Sequence, residues 1–218
     1  MIPLVHDFTD ATVLVFGGGP VGARKARRFA SEADVVVVSP AFVDREFGDV
    51  ERIRAAPDPE AVETWFDRTT PALVVAATDD TQVNEAIATT ARERGVLLNR
   101  ADRAGGREPG SVVVPATVRD GDVTVSISTG GGAPALSKYL RTELEETLAG
   151  AGSMATLCAS LREQLKSMDV DPSRRRKIVT DVVNSPAVWT ALRSGTANTS
   201  QVIEDVLYEQ LPVGGEHP

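Results

Sequence analysis

Sulfur and histidine are nearly absent from this chain. Its 218 residues include one cysteine, Cys158, and two histidines, His6 and His217. A lone cysteine excludes an internal disulfide framework and any multi-cysteine zinc or iron–sulfur site within one chain, and it suits a reducing, cytoplasmic compartment. Aromatic residues make up only 5% of the chain. No apolar run reaches the length of a membrane span, and "MIPLVHDFTD" lacks the basic start and apolar core of a secretory leader, so neither a membrane nor an export role is expected. Positive charge is also in deficit, with 23 Lys and Arg against 31 Asp and Glu for a net charge of −8. Bulk charge of that sign repels nucleic acid and anionic lipid.

The remaining composition, 42% hydrophobic and 25% charged, is that of a soluble globular protein, and the length allows one good core with a smaller second unit. Short β-branched runs alternate with helical patterns over about the first hundred residues. "TVLVFGGG", "ADVVVVSP", "PALVVAATDD" and "VLLNRAD" read as strands buried on both faces. "GPVGARKARRFASE" and "TQVNEAIATTARERG" read as helices, the second stopped by Gly95, and a mixed segment from Phe42 to Trp65 holds helices and a short strand near "RIRA". That alternation predicts an α/β fold with a doubly wound parallel sheet. The texture changes at the Gly- and Pro-rich "RAGGREPG". "SVVVPATVRDGDVTVSIS" then predicts two strands joined at "RDGD", and mostly helices follow, broken at Asp171–Pro172, at Pro186 and around Gly195. The expected organisation is a Rossmann-type domain over 1–110, a small α+β unit over 111–150 and a helical region over 151–218.

The most informative loop is Gly17-Gly18-Gly19-Pro20-Val21-Gly22, between a strand and a helix. It fits G-x-G-x-x-G. Gly17 permits the tight turn, Gly19 lets a diphosphate approach the backbone, and Gly22 lets the helix pack against the strand, while the helix N-terminus offers N–H donors. The alternative is a purely structural turn. The acid that usually ends the second strand and binds the ribose 2′-OH is missing, because that strand ends at Ser39. On the residues alone, NAD and NADP stay open.

Three further stretches carry chemistry. "AATDD", Ala76 to Asp80, closes a strand where a cofactor can lie close to the backbone, and Asp80 or Thr81 can equally cap the next helix. "NRAD", Asn99 to Asp102, places an acid at the same sheet edge. Asp102 is either a general base or a loop carboxylate paired with Arg100 or Arg103. "SISTGGGAP", Ser126 to Pro134, opens a helix striped by Leu136, Leu140, Leu144 and Leu148. Its glycines, Gly130 and Gly131 among them, and the helix start suit an anionic substrate, with Lys138 and Arg141 one and two turns in; the alternative is a flexible joint. Arg100, Arg103, Arg107 and Arg119 add positive charge near these motifs.

The ordered series "VLVFGGGPVGARKARRF", "VVVVSP", "LVVAATDDTQVNEAI", "LLNRAD" and "SVVVPATVRDGDVTVSISTGGGAPALSKYLRTELE" resembles the precorrin-2 dehydrogenase family of sirohaem synthesis, across about residues 2–148. The resemblance implies oxidation of precorrin-2, a tetrapyrrole, to sirohydrochlorin with NAD as hydride acceptor, in some members followed by Fe²⁺ insertion. It implies a cofactor loop at Gly17, Gly19, Pro20, Val21 and Gly22 and strand-end contacts at Ser39, Pro40, Ala77 and Thr78. It also implies Asp102 as the aspartate for proton and metal handling, Ser128 at the central cleft, and a homodimer whose second domains intertwine. Asp102 is followed by Arg103, where many members have a second acid. Two rival functions fit parts of the pattern. A non-catalytic NAD-sensing module needs the first glycine loop but neither Asp102 nor "STGGGAP"; a ferrochelatase alone needs no working glycine loop.

Overall fold

The computed structural model describes residues 3–102 and 110–194. Contacts group the chain into two compact units, Met1–Val114 and Pro115–Pro218.

The first unit is built on five parallel strands: β1 (Thr12–Phe16), β2 (Asp34–Ser39), β3 (Glu51–Arg54), β4 (Leu73–Ala76) and β5 (Leu97–Arg100). Their order across the sheet is β3-β2-β1-β4-β5. The helices α1 (Pro20–Phe29), α2 (Val62–Thr69) and α3 (Thr81–Arg94) connect them. The middles of the inner strands are apolar because both faces are covered. Leu14, Phe16, Val38 and Val74 pack with Trp65, Phe66 and Ile87 on one side, and Val13, Val15, Val37 and Val75 pack with Ala23, Ala26 and Phe29 on the other. Each fully buried Val, Leu or Phe contributes about 1.5–3 kcal/mol, so the sheet itself is the core. β1 and β4 are neighbours, while the chain leaves β1 toward β2 on one side and β4 toward β5 on the other. The loops after β1 and β4 therefore diverge and open a crevice at the carboxyl edge.

The local signals explain the element ends. Pro20 occupies the first position of α1, Asp80 caps α3 by accepting from the Gln82 and Val83 amides, and Gly95 ends α3 at φ +67°. Along α1, Lys25 is half-buried, and burial first, then Arg24 and Arg28, pushes its ammonium down to about 8. The amine regains its ordinary value on unfolding, so between those two values the unfolded chain holds more protons and stability rises with pH. Below them the folded state bears the full cost. Lys25→Met is therefore expected to stabilise the protein at about pH 7 by on the order of 1–2 kcal/mol and to do nothing near pH 11; denaturant unfolding at both values checks this.

Residues 111–114 behave differently from their place in the sequence pattern. They read as part of a strand in the second segment, yet they pack on the first unit. Ser111 bridges Leu98 in parallel, the Val112 amide donates to the Leu98 carbonyl, and the buried Asn99 side-chain amide donates to the Val112 carbonyl at 2.8 Å. Val112 and Val114 join the cluster beneath α1. Pro115 lacks an amide hydrogen and follows directly.

In the second unit, β6 (Ala116–Asp120) and β7 (Val123–Ile127) form an antiparallel pair around Gly121, at φ +53°. Among the described residues four helices follow: α4 (Pro134–Thr147), α5 (Ala151–Ser167), α6 (Pro172–Val183) and α7 (Pro186–Ser194). The last three share a core of Met154, Leu161, Leu165, Ile178, Val182 and Val188. By contrast α4 has no buried residue, and Leu136 and Tyr139 are 48% and 59% exposed. Among the described residues, no helix is long and apolar enough to cross a membrane.

Candidate functional site

The crevice at the end of β1 and β4 is a cleft of about 590 Å³. Its walls include Gly17, Gly19, Pro20, Val21, Ser39, Pro40, Ala77 and Thr78, residues singled out in three separate sequence stretches. Gly22 lies just behind, in the first turn of α1.

The glycines have distinct local reasons. Gly17 sits at φ +120°, and a Cβ there would strike the Ala77 carbonyl oxygen. A Cβ at Gly22 would collide with the Gly17 carbonyl oxygen, so its absence brings helix and strand together. Gly19 differs: its φ is −78°, and an added Cβ would meet nothing within 4 Å. The fold does not need glycine at position 19. A Cβ there would instead occupy the mouth of the cleft above the α1 N-terminus, where a diphosphate approaches the backbone amides. This open cradle fits a dinucleotide.

Two side walls are pinned by polar contacts. Ser39 is buried and its Oγ donates to the Ala41 carbonyl at 2.8 Å, folding the chain back after β2. On the other side, Asn84 on α3 is 1% exposed. Its amide nitrogen donates to the Thr78 carbonyl at 2.8 Å, and its Oδ1 accepts from the Thr78 hydroxyl at 2.8 Å and from the Thr78 amide at 3.3 Å. Sequence reasoning overlooked Asn84. The available signal was a polar residue on the apolar face of α3, between Val83 and Ile87, which burial requires to be hydrogen-bonded.

Asp102 follows β5 at the same sheet edge. Its two carboxylate oxygens accept from Arg100, Oδ1 from Nε at 2.8 Å and Oδ2 from Nη2 at 2.7 Å. Arg100 also reaches Glu85 on α3 at 3.2 Å, and its side chain is only 4% exposed. The hydrogen bonds to Asp102, opposed by burial and aided by Glu85, hold the Arg100 guanidinium above its ordinary range. Of the two roles considered for Asp102, the ion pair with Arg100 is thus present. A fork of this kind fixes both the place and the direction of a carboxylate.

The second glycine loop lies in the other unit. Ser128 and Gly130 are exposed, and Gly130 and Gly131 adopt φ +72° and +85°. The Thr129 hydroxyl donates to the Ala133 carbonyl at 3.1 Å and lies 2.9 Å from the Ser137 hydroxyl, closing the turn before α4. Lys138 and Arg119 are exposed, and Arg141 pairs with Glu145 at 3.0 Å. Arg103, Arg107 and His217 fall outside the described residues. His6 packs on Phe8, and burial pushes the Cys158 thiol up. Among the described residues, no group of three or more His, Cys, Asp or Glu could hold a metal ion.

Comparison with known proteins follows this geometry. An NAD(P)-binding family matches residues 4–116. A precorrin-2 dehydrogenase of Methanosarcina barkeri is 34% identical over 86% of this chain and 85% of its own length. Siroheme synthases of Pectobacterium atrosepticum and Methylococcus capsulatus are 33% and 31% identical over 80% and 93% of this chain, which spans only 36% and 42% of their lengths. The solved structure of SirC, a precorrin-2 dehydrogenase, superposes with a TM-score of 0.69 at 21% identity, covering 95% of this chain and 99% of that one, and it supports the fold.

Proposed function

The chain belongs to the precorrin-2 dehydrogenase family, and from that premise we propose that it oxidises precorrin-2 to sirohydrochlorin with NAD⁺. The carrying observation is the open cradle at Gly19, at the sheet's switch point, with a carboxylate at the same edge. Gly17, Gly19, Pro20, Val21 and Gly22 hold the diphosphate, and Ser39, Pro40, Ala77 and Thr78 line the rest of the dinucleotide. When bound, NAD⁺ supplies a two-electron acceptor for hydride. Oxidation removes a hydride and a proton, giving sirohydrochlorin, NADH and H⁺. Asp102 is the group that accepts the proton, and Arg100 is the positioning residue that aims it.

Ser128, Gly130 and Gly131 are the proposed substrate contacts. Precorrin-2 carries many carboxylates, and Arg119 and Lys138 supply exposed positive charge in that unit. Fe²⁺ would be a second substrate. Both oxygens of Asp102 accept from Arg100, which leaves its metal-handling role without a supporting observation. The single cysteine suits the reducing cytoplasm in which we place the reaction.

We also propose a homodimer through β6, β7 and α4. A two-stranded hairpin is marginal alone, and α4 leaves Leu136 and Tyr139 uncovered. A dimer by sedimentation at micromolar concentration is expected; a monomer there would refute it. For the activity, adding precorrin-2 to protein and NAD⁺ should produce NADH absorbance. Dinucleotide binding without turnover would instead mark a sensor.

A further inference from the structure

Beside the dinucleotide cleft lies a second hollow of about 440 Å³, lined by Phe42, Val43, Asp44, Arg52 and Arg54. The two share Phe42 and Val43 as a common wall. The hollow is placed by the edge strand. In the parallel pairing of β2 with β3, Ser39 stands opposite Arg54 and Val37 opposite Arg52. Side chains opposite one another in a sheet share a face. Val37 packs in the cluster beneath α1, whereas Ile53 packs against the opposite one. Ser39, Arg52 and Arg54 therefore stand on one face, and Arg54 ends its strand beside Ser39. Arg52 is braced over the rings of Phe42 and Phe47, 5.7 Å from each centroid.

The end of β2 is where a dinucleotide-binding fold usually places an acid for the ribose 2′-OH, an acid that repels a 2′-phosphate. Here that position is Ser39, whose proton goes to the Ala41 carbonyl and whose lone pairs stay able to accept from a ribose hydroxyl. The adjoining hollow carries two guanidinium groups against one carboxylate. Arginine forks match phosphate oxygens in geometry as well as charge. Resting on the dinucleotide reading of the cleft, we infer that this hollow receives the 2′-phosphate of NADP, so that the enzyme takes NADP as well as NAD. Arg54 is the side chain that discriminates between them.

The test uses the whole protein without tetrapyrrole. Calorimetric titration compares NAD⁺ with NADP⁺, and adenosine 5′-monophosphate with adenosine 2′,5′-bisphosphate, on wild type and Arg54→Ala. In wild type, NADP⁺ should bind within about 10-fold of NAD⁺. Arg54→Ala should weaken NADP⁺ and the bisphosphate by about 10- to 100-fold and move NAD⁺ and the monophosphate by less than about 3-fold. Binding of NAD⁺ with NADP⁺ excluded overturns this inference alone, as does equal weakening of both dinucleotides. Failure of both to bind wild type overturns the cleft reading and this inference with it.

Discussion

Gly19→Val is expected to abolish NAD binding and to leave the fold intact. The expectation rests on the contrast among the three loop glycines. Gly17 and Gly22 are demanded by the protein itself, since a side chain would strike the Ala77 carbonyl oxygen at the first and the Gly17 carbonyl oxygen at the second. Val at those positions should therefore unfold or distort the first unit, and loss of binding there would say nothing about a ligand. Gly19 has an ordinary φ of −78° and open space where a Cβ would go. Val there costs the apo protein little, so its thermal midpoint should stay within about 3 °C of wild type. The same side chain fills the place where a diphosphate meets the α1 N-terminus, and NAD affinity should fall by more than about 100-fold, or about 2.7 kcal/mol. Calorimetric titration of the folded variant decides it. Unchanged affinity would mean that the cleft is not the diphosphate site.

Asp102→Asn should lower the rate of precorrin-2 oxidation by about 10²- to 10⁴-fold, the usual cost of a lost general base. NAD binding should barely change, because the glycine loop lies after β1 and Asp102 after β5. The substitution keeps the shape but removes half of the fork on Arg100, so two effects must be separated. Loss of an ion-pair partner leaves the little-exposed Arg100 with Glu85 and lowers stability. Loss of a base removes a limb of the pH–rate profile without altering the cofactor titration. Steady-state rates across pH, beside unfolding curves, distinguish them. A variant that retained more than about a tenth of the wild-type rate would show that the proton leaves to water or to another group.

The sequence announced the local features well. Gly95 ends its helix, Asp80 caps α3, "RIRA" supplies an edge strand, and "RDGD" turns a hairpin. Each signal acts within a few residues, through φ preference, capping or pattern. The convergence of Gly17, Ser39 and Ala77 on one cleft was also legible, because strand ends of a parallel sheet meet at one edge. What escaped depends on distant partners. Residues 111–114 look like any apolar strand, and it is Leu98, the Asn99 amide and the cluster beneath α1 that bring them to the first unit. Asn84 stands on the apolar face of its helix, and its partner Thr78 emerges only once the strand ends are folded together. The Arg100 fork joins β5, its following loop and α3 through a single guanidinium.

On the function proposed, one chain both holds a dinucleotide and uses it to oxidise a tetrapyrrole. The measurement that reaches it most directly is an anaerobic mix of the protein, excess NAD⁺ and limiting precorrin-2, following NADH and sirohydrochlorin by absorbance together. One NADH should form for each sirohydrochlorin, at a common rate, with neither product formed by Gly19→Val. Precorrin-2 left unchanged by a protein that binds NAD⁺, or sirohydrochlorin formed without NADH, would contradict it.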